Sequence, residues 1–100
     1  MIKMKKGSLE IKNNILIVEI LDNNGILNSV DFVKFEKITK INVSDYKFKD
    51  DNIKNKYTIS IENGERESNI YIHLTFDDDL ERDTAFDEII KHLKSYHSNR

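Results

Sequence analysis

The chain has 100 residues, a net charge of −2 and a hydrophobic fraction of 38%, with no tract of low complexity. A chain of this length can enclose one hydrophobic core but not two, so we expect a single domain over residues 1–100. The absence of cysteine excludes disulfides and thiolate zinc sites.

The N-terminal third is predicted to form a β-hairpin followed by a second turn. Apolar and polar residues alternate over residues 8–12, and the strand pattern resumes over residues 15–21. Asn13-Asn14 between them tolerates positive φ, as a tight hairpin requires. The sequence DNNG at residues 22–25 is dense in turn-forming residues, so a second pair of strands is expected after it.

No secretion signal and no membrane span are predicted. The lysines among residues 1–6 resemble the start of a signal peptide, but polar residues within 8–12 interrupt the apolar stretch that such a peptide needs. The longest unbroken apolar run is Ile15 to Val18, which is far too short to cross a membrane. We therefore expect a cytoplasmic protein.

Residues 26–48 allow two interpretations. Val30 and Phe32 share one alternation phase, whereas Val33 and Phe35 share the other, as expected where a strongly bent sheet has bulges or strand breaks. The spacing of Phe32, Phe35, Ile38 and Ile41 would also fit a helix. The β-branched residues in this segment and the lack of a preceding capping signal favour strands.

The second half reads as two strands and a terminal helix. Tyr57, Ile59 and Ile61 alternate with polar residues, and residues 70–76 do the same. Asn63-Gly64 would support a two-residue turn, but a wide loop over residues 62–69 that sets Ile61 opposite Ile70 is preferred because it pairs apolar with apolar residues. Apolar residues then recur at intervals of three and four, which predicts a helix over about 79–97.

The predicted fold is mainly β (α+β). Six to seven antiparallel strands, over about residues 8–76, form a bent sheet or partly open barrel that one C-terminal helix caps. The predicted core consists of the apolar residues on the inward phase of each element: Leu16, Val18, Ile20, Phe35, Ile41, Ile59, Ile61, Ile72, Leu74, Phe76, Phe86, Ile90 and Leu93.

An acidic run surrounds the predicted start of the helix and has two interpretations. It could simply satisfy the free amides and the dipole of the helix N-terminus, which attract carboxylates. Alternatively, it could be a partner-binding surface. The residues predicted to form that surface are Asp77, Asp78, Asp79, Glu81 and Asp83.

The strand count, the segment 30–43 and Phe76 leading into ERDTAFDEIIKHL resemble the pleckstrin-homology-like (PH-like) superfold, in particular its small bacterial members. The resemblance covers residues 7–97 and implies a scaffold that recognises proteins, lipids or itself. Relatives that bind phosphoinositides use clustered basic residues on the loop joining the first two strands. Here that loop is Lys12-Asn13-Asn14, and one lysine cannot clamp a phosphate. The tryptophan of eukaryotic members is also absent, and Phe86 is the nearest aromatic residue.

No catalytic centre, metal site or cofactor is predicted. His92 and His97 are five residues apart, whereas a zinc pair on a helix needs four, and His73 lies on the polar face of a strand. The acidic run lacks the glycine and spacing of an EF-hand. Aromatic and basic residues interleave over 46–57 as in single-strand nucleic-acid binders, but the acidic chain has no basic stripe.

Two hypotheses of different class follow. The first is a non-catalytic protein-interaction module that recognises a protein partner or forms a homodimer through a sheet edge or the helix. The second is a small phage-encoded inhibitor whose acidic run blocks a basic groove of a host protein, with binding that weakens steeply as salt rises. The excess of Ile, Asn and Lys indicates a low-GC bacterium or its phage. Direct binding to nucleic acid or to membranes is not expected.

Overall fold

A computed structural model describes residues 1–45, 57–64 and 70–98. The described residues form seven antiparallel strands, one short 3-10 turn and one α-helix, in two sheets that do not close into a barrel. The strands are β1 (Ile2–Met4), β2 (Gly7–Lys12), β3 (Ile15–Leu21), β4 (Leu27–Lys34), β5 (Ile38–Asp45), β6 (Tyr57–Asn63) and β7 (Ile70–Phe76), and the helix α1 spans Asp79–Ser98. The mainly β fold with a terminal helix is thus confirmed.

The first sheet has the order β1-β2-β3-β4, and the second has the order β5-β6-β7. The two sheets meet where the Lys5 amide donates a hydrogen bond of 2.8 Å to the carbonyl of Thr75. On the other side, the 3-10 turn Phe35–Lys37 carries the chain from β4 to β5. The sheets are therefore linked at two corners and bend around one core.

The two predicted turns of the N-terminal third are confirmed. Asn13 and Asn14 have φ values of 52° and 62°, and Lys12 lies opposite Ile15, which defines a two-residue hairpin turn. At the second turn, the Asp22 carboxylate accepts hydrogen bonds from the amides of Asn24 (2.8 Å) and Ile26 (3.0 Å). Strand β1 was not predicted, because its residues were interpreted only as the charged start of a signal peptide.

The helical interpretation of residues 32–41 is wrong, and the strand interpretation is confirmed. The two alternation phases are the two faces of β4, which continues without a break to Lys34, and buried Phe35 then begins the 3-10 turn that leads to the next strand at Ile38. Phe32 lies on the outer face of β4 and is 67% exposed, whereas Val33 is buried opposite Leu16. Residues 47–56, whose polar sequence predicts a loop with Asp50, Asp51 and Asn52 at its tip, lie outside the described residues.

The pairing of β6 with β7 differs from the prediction by two residues. Ile61 lies opposite Ile72 instead of Ile70, and Asn63 lies opposite Ile70, so the strands extend further toward the connection than expected. A shift of two residues keeps the same side chains on the inner face. The observed register gives Phe76 an apolar partner in Tyr57, which the predicted register did not. The connecting residues 65–69 lie outside the described part.

Eight of the predicted core residues are buried, and the core differs from the prediction mainly at the helix. Ile20, Ile41, Ile72 and Phe86 are only partly buried against the core. Ile90 is half-buried, and Ile89 takes its place inside. Among the described residues, the buried core consists of Met4, Leu9, Leu16, Val18, Val33, Phe35, Ile59, Ile61, Leu74, Phe76, Ala85, Ile89 and Leu93. The helix is therefore rotated so that its 85–89–93 stripe, spaced by four residues, faces the sheets.

Candidate functional site

An open groove lies between β5 and the C-terminal half of α1. Its volume is about 450 Å³. Apolar side chains from both elements form its floor, and basic or polar side chains form its rim. The lining residues are Ile38, Thr39, Lys40, Ile41, Ile90, Leu93, Lys94, His97 and Ser98.

The groove exists because α1 does not fully cover the core-facing residues of β5. Ile41 and Val43 lie opposite Ile61 and Ile59, which are fully buried on the inner face of β6. On β5 itself, Ile41 is half-buried and Val43 is 37% exposed. Ile90 on the facing side of α1 is also half-buried. These apolar groups on the core side of the sheet remain accessible to another molecule.

Strand β5 is also an open sheet edge. Within the described residues it pairs with β6 on one side only, so its other side presents main-chain amides and carbonyls without a strand partner. A bulge separates Ile38 from Lys40 at the start of the strand. An open edge beside an apolar groove is the arrangement to which an extended peptide segment can add as a further strand.

The charges around the groove have one sign. Lys40 and Lys94 carry them, and the described lining contains no Asp or Glu. The carboxylates of α1 are concentrated toward its N-terminus, at the other end of the helix. A segment that carries acidic as well as apolar side chains would therefore match the groove electrostatically.

The acidic run predicted as a contact surface has structural roles at two of its five positions. The Asp78 carboxylate accepts a hydrogen bond of 2.7 Å from the Glu81 amide, as a helix N-cap does. Asp83 pairs with Arg82, whose Nη2 lies 2.8 Å from Oδ1 of Asp83. Asp77, Asp79 and Glu81 are exposed at the same corner. The five residues do lie together around the first turn of α1.

Arg82 explains why Asp83 is held in place. Its guanidinium is buried, with a side-chain exposure of 7%, and lies 5.9 Å from the centroid of the Tyr57 ring. A buried cation needs a compensating charge or ring, and removing one partner of such a pair is costly. Asp83 therefore contributes to the anchoring of the helix on β6.

Replacing the N-cap should separate the structural role of the run from any binding role. We expect Asp78→Ala to lower the free energy of unfolding by about 1 kcal/mol, because the Glu81 amide loses its acceptor. Asp77→Ala, one residue earlier and exposed, should change it by less than about 0.5 kcal/mol. Urea denaturation of both variants measures the difference, and equal losses would contradict the capping role of Asp78.

The histidines make local contacts. His73 Nδ1 lies 2.9 Å from the Ser60 hydroxyl, and the His73 ring stacks against Tyr71. His92 Nε2 lies 3.1 Å from Glu88 Oε1, four residues earlier on the same side of α1. In the described part of the chain, no three His, Asp or Glu side chains converge where a metal ion could bind.

A second apolar surface lies on the outer face of the first sheet. Phe32 is 67% exposed opposite Ile17, and Leu27 is 53% exposed opposite Leu21. Strand β4 is one of the two edge strands of this sheet within the described residues, and β1 is the other. Its Asp31 lies on the inner face opposite buried Val18 but is itself exposed. An inward-facing charge of this kind opposes the addition of a further strand at β4.

Comparison of the chain with protein-family models, with curated proteins and with solved structures finds no match. Among the described residues, no helix has the length and apolar character needed to cross a membrane. The aromatic and basic stretch that suggested nucleic-acid binding falls mostly on residues 46–56, outside the described part.

Proposed function

We propose that this chain is a non-catalytic protein-interaction module of the PH-like superfold, which binds an extended segment of a partner along the open edge of β5. The observation that supports it is the groove of about 450 Å³ in which apolar side chains of β5 and α1 remain accessible beside that edge. The partner's main chain would pair with β5, and its alternate side chains would pack between Ile41 and Ile90.

The PH-like part of the proposal is supported by the order of the elements. A four-stranded sheet comes first, a three-stranded sheet follows, and one helix ends the chain. The loop that joins the first two strands is Lys5-Lys6, between β1 and β2, and not Lys12-Asn13-Asn14 as expected from the sequence. Lys6 Nζ donates a hydrogen bond to Asn23 Oδ1, so lipid headgroup binding is the weaker use of such a fold here. We further propose a cytoplasmic setting, in a low-GC bacterium or in a cell infected by its phage.

The edge strands β4 and β5 differ in how well they suit strand addition. On β4, the exposed Asp31 lies among the residues of the core-facing side of the sheet, and an added strand would place its side chains against this carboxylate. On β5, the residues on the core-facing side are the apolar Ile41 and Val43. An added strand at β5 would gain apolar cross-strand contacts of about 0.2–1 kcal/mol per pair.

Peptide selection tests this proposal while the partner is still unidentified. Random peptides displayed on phage are selected on the immobilised wild-type protein, and selected peptides are synthesised and titrated by fluorescence anisotropy. We expect Ile90→Glu to weaken their binding about tenfold or more, since the carboxylate would enter the apolar side of the groove. Phe32→Ser, which alters an exposed apolar residue on the other sheet, should leave the affinity unchanged.

Selected peptides that bind Ile90→Glu as tightly as the wild type would contradict the proposal.

The inhibitor hypothesis is an alternative, because Asp77, Asp79 and Glu81 form an exposed acidic corner. If selection yields only basic peptides whose binding is lost in the Asp77→Asn/Asp79→Asn/Glu81→Gln variant, that corner is the binding surface. Binding at the groove should instead survive this triple substitution.

A further inference from the structure

We infer that the strand added to β5 is β5 of a second copy of this chain, in an antiparallel arrangement about a two-fold axis. This inference rests on the proposed function, since it assigns an occupant to the same groove. Three features of the described residues support it: the direction of α1 relative to β5, the distribution of charge along one side of α1, and the apolar pairing that a two-fold axis would produce.

The helix runs antiparallel to β5. Near the start of β5, the ring of Tyr96 lies 5.8 Å from the ring of Phe35. Near the end of β5, Arg82 lies over Tyr57, which pairs with Asp45. The basic C-terminal half of α1 thus lies beside the first residues of β5, and the acidic N-terminal half lies beside the last.

One side of α1 carries opposite charges at its two ends. Residues on this side recur at intervals of three and four, and their character changes along the helix from acidic through apolar to basic. They are Asp79, Asp83, Phe86, Ile90, Lys94 and His97. Ile90, Lys94 and His97 of this series line the groove, so this side of the helix faces the open edge of β5.

A two-fold axis through the middle of β5 matches these charges. It turns the second copy so that its helix is antiparallel to the first, which sets the acidic half of each helix against the basic half of the other. A parallel arrangement would instead bring Asp79 toward Asp79 and Lys94 toward Lys94. The charge distribution therefore favours the antiparallel dimer and opposes the parallel one.

The same axis produces favourable pairs between the strands. With the axis at Asn42, Ile41 of each copy lies opposite Val43 of the other, on the inner face of a continuous six-stranded sheet. Two such apolar pairs form, because the contact is the same on both copies. The groove-lining Ile90 of each copy then packs over the seam. Ile41, Val43 and Ile90 all remain incompletely buried in the single chain.

Sedimentation velocity on the full chain tests the inference. We expect the wild type to be a dimer, and Lys94→Asp to raise the dissociation constant about tenfold or more, since each substitution changes two symmetric contacts. Lys12→Asp makes the same change of charge at an exposed residue of β2 and should leave the dimer intact. Asp79→Lys should weaken the dimer as Lys94→Asp does. Asp79 is preferable to Asp83 because Asp83 pairs with buried Arg82.

Combining the two substitutions in one chain provides the decisive result. Asp79→Lys and Lys94→Asp should each weaken the dimer alone, and the double variant Asp79→Lys/Lys94→Asp should recover the wild-type dissociation constant, because the charges are exchanged. A wild type that sediments as a monomer up to about 1 mM would overturn the inference, as would a dimer that neither substitution weakens. If the wild type is such a monomer, the proposed function still stands provided that the selected peptides bind the wild type and that the Ile90→Glu variant loses this binding.

Discussion

Ile89→Ala should lower the free energy of unfolding by about 2–5 kcal/mol, a large part of the total for a domain of this size. Ile89 is fully buried in the core, so its truncation leaves a cavity that the two sheets and α1 cannot readily fill. Ile90→Ala is the matched control, since it removes the same atoms from the adjacent, half-buried residue and should cost about 1 kcal/mol or less.

Chemical denaturation followed by circular dichroism measures both variants under the same conditions. The slope of the unfolding free energy against urea should be unchanged, so that the shift in midpoint reports stability alone. A larger loss for Ile90→Ala than for Ile89→Ala would mean that α1 is rotated toward the orientation expected from the sequence. The groove beside β5 would then be filled by Ile90.

Gly7→Ala should be about as damaging as a large truncation of the core. Gly7 begins β2 with a φ of 149°, and a Cβ atom there would lie 1.9 Å from the carbonyl oxygen of Glu19 on β3. The obstacle is main chain, so a flexible side chain cannot move aside. Backbone strain of about 1–3 kcal/mol and overpacking of similar size together predict a loss of about 2–6 kcal/mol.

Gly25→Ala separates these two contributions. Gly25 also has a positive φ, 77°, but a Cβ atom added there would meet nothing within 4 Å. It should therefore show only the conformational cost, about 1–2 kcal/mol. Thermal or urea unfolding of the two variants gives the comparison. A Gly7→Ala protein as stable as Gly25→Ala would show that β2 and β3 do not approach as closely as described.

The elements that the sequence predicted well are those specified by local chemistry. Asn13 and Asn14 adopt the left-handed conformation more easily than most residues do. The hairpin turn can therefore be predicted from this dipeptide and from the alternating strands on either side of it. The turn at Asp22 depends on a side chain that hydrogen-bonds to amides two and four residues later. Neither feature depends on distant parts of the chain.

The orientation of the helix could not be predicted, because its apolar residues form two overlapping stripes. Phe86 with Ile90 and Ala85 with Ile89 each have the spacing of one helix face, and Leu93 can belong to either. The larger Phe86 favoured the first stripe in the sequence. In the fold, small Ala85 allows α1 to approach the sheets closely, and Phe86 is left partly buried at the side.

The groove was missed because it depends on tertiary contacts. Ile41 and Ile90 were predicted to lie in the core, and only the packing of α1 against the sheets shows that both remain partly accessible. Lys40 and Lys94 are far apart in the sequence and become neighbours only through this packing. The acidic run was visible in the sequence, but its capping and ion-pairing roles appear only when Asp78 meets the Glu81 amide and Asp83 meets Arg82.

Amide hydrogen exchange along β5 tests the central claim, that this open edge is where the protein binds, most directly. Within the described residues, every second amide of Ile38–Asp45 has no strand partner, so in the free chain at low concentration these amides should exchange fast. Addition of a selected peptide should slow these amides and leave those of β4 unchanged. Slowing at β4, with β5 still exchanging fast, would contradict the claim.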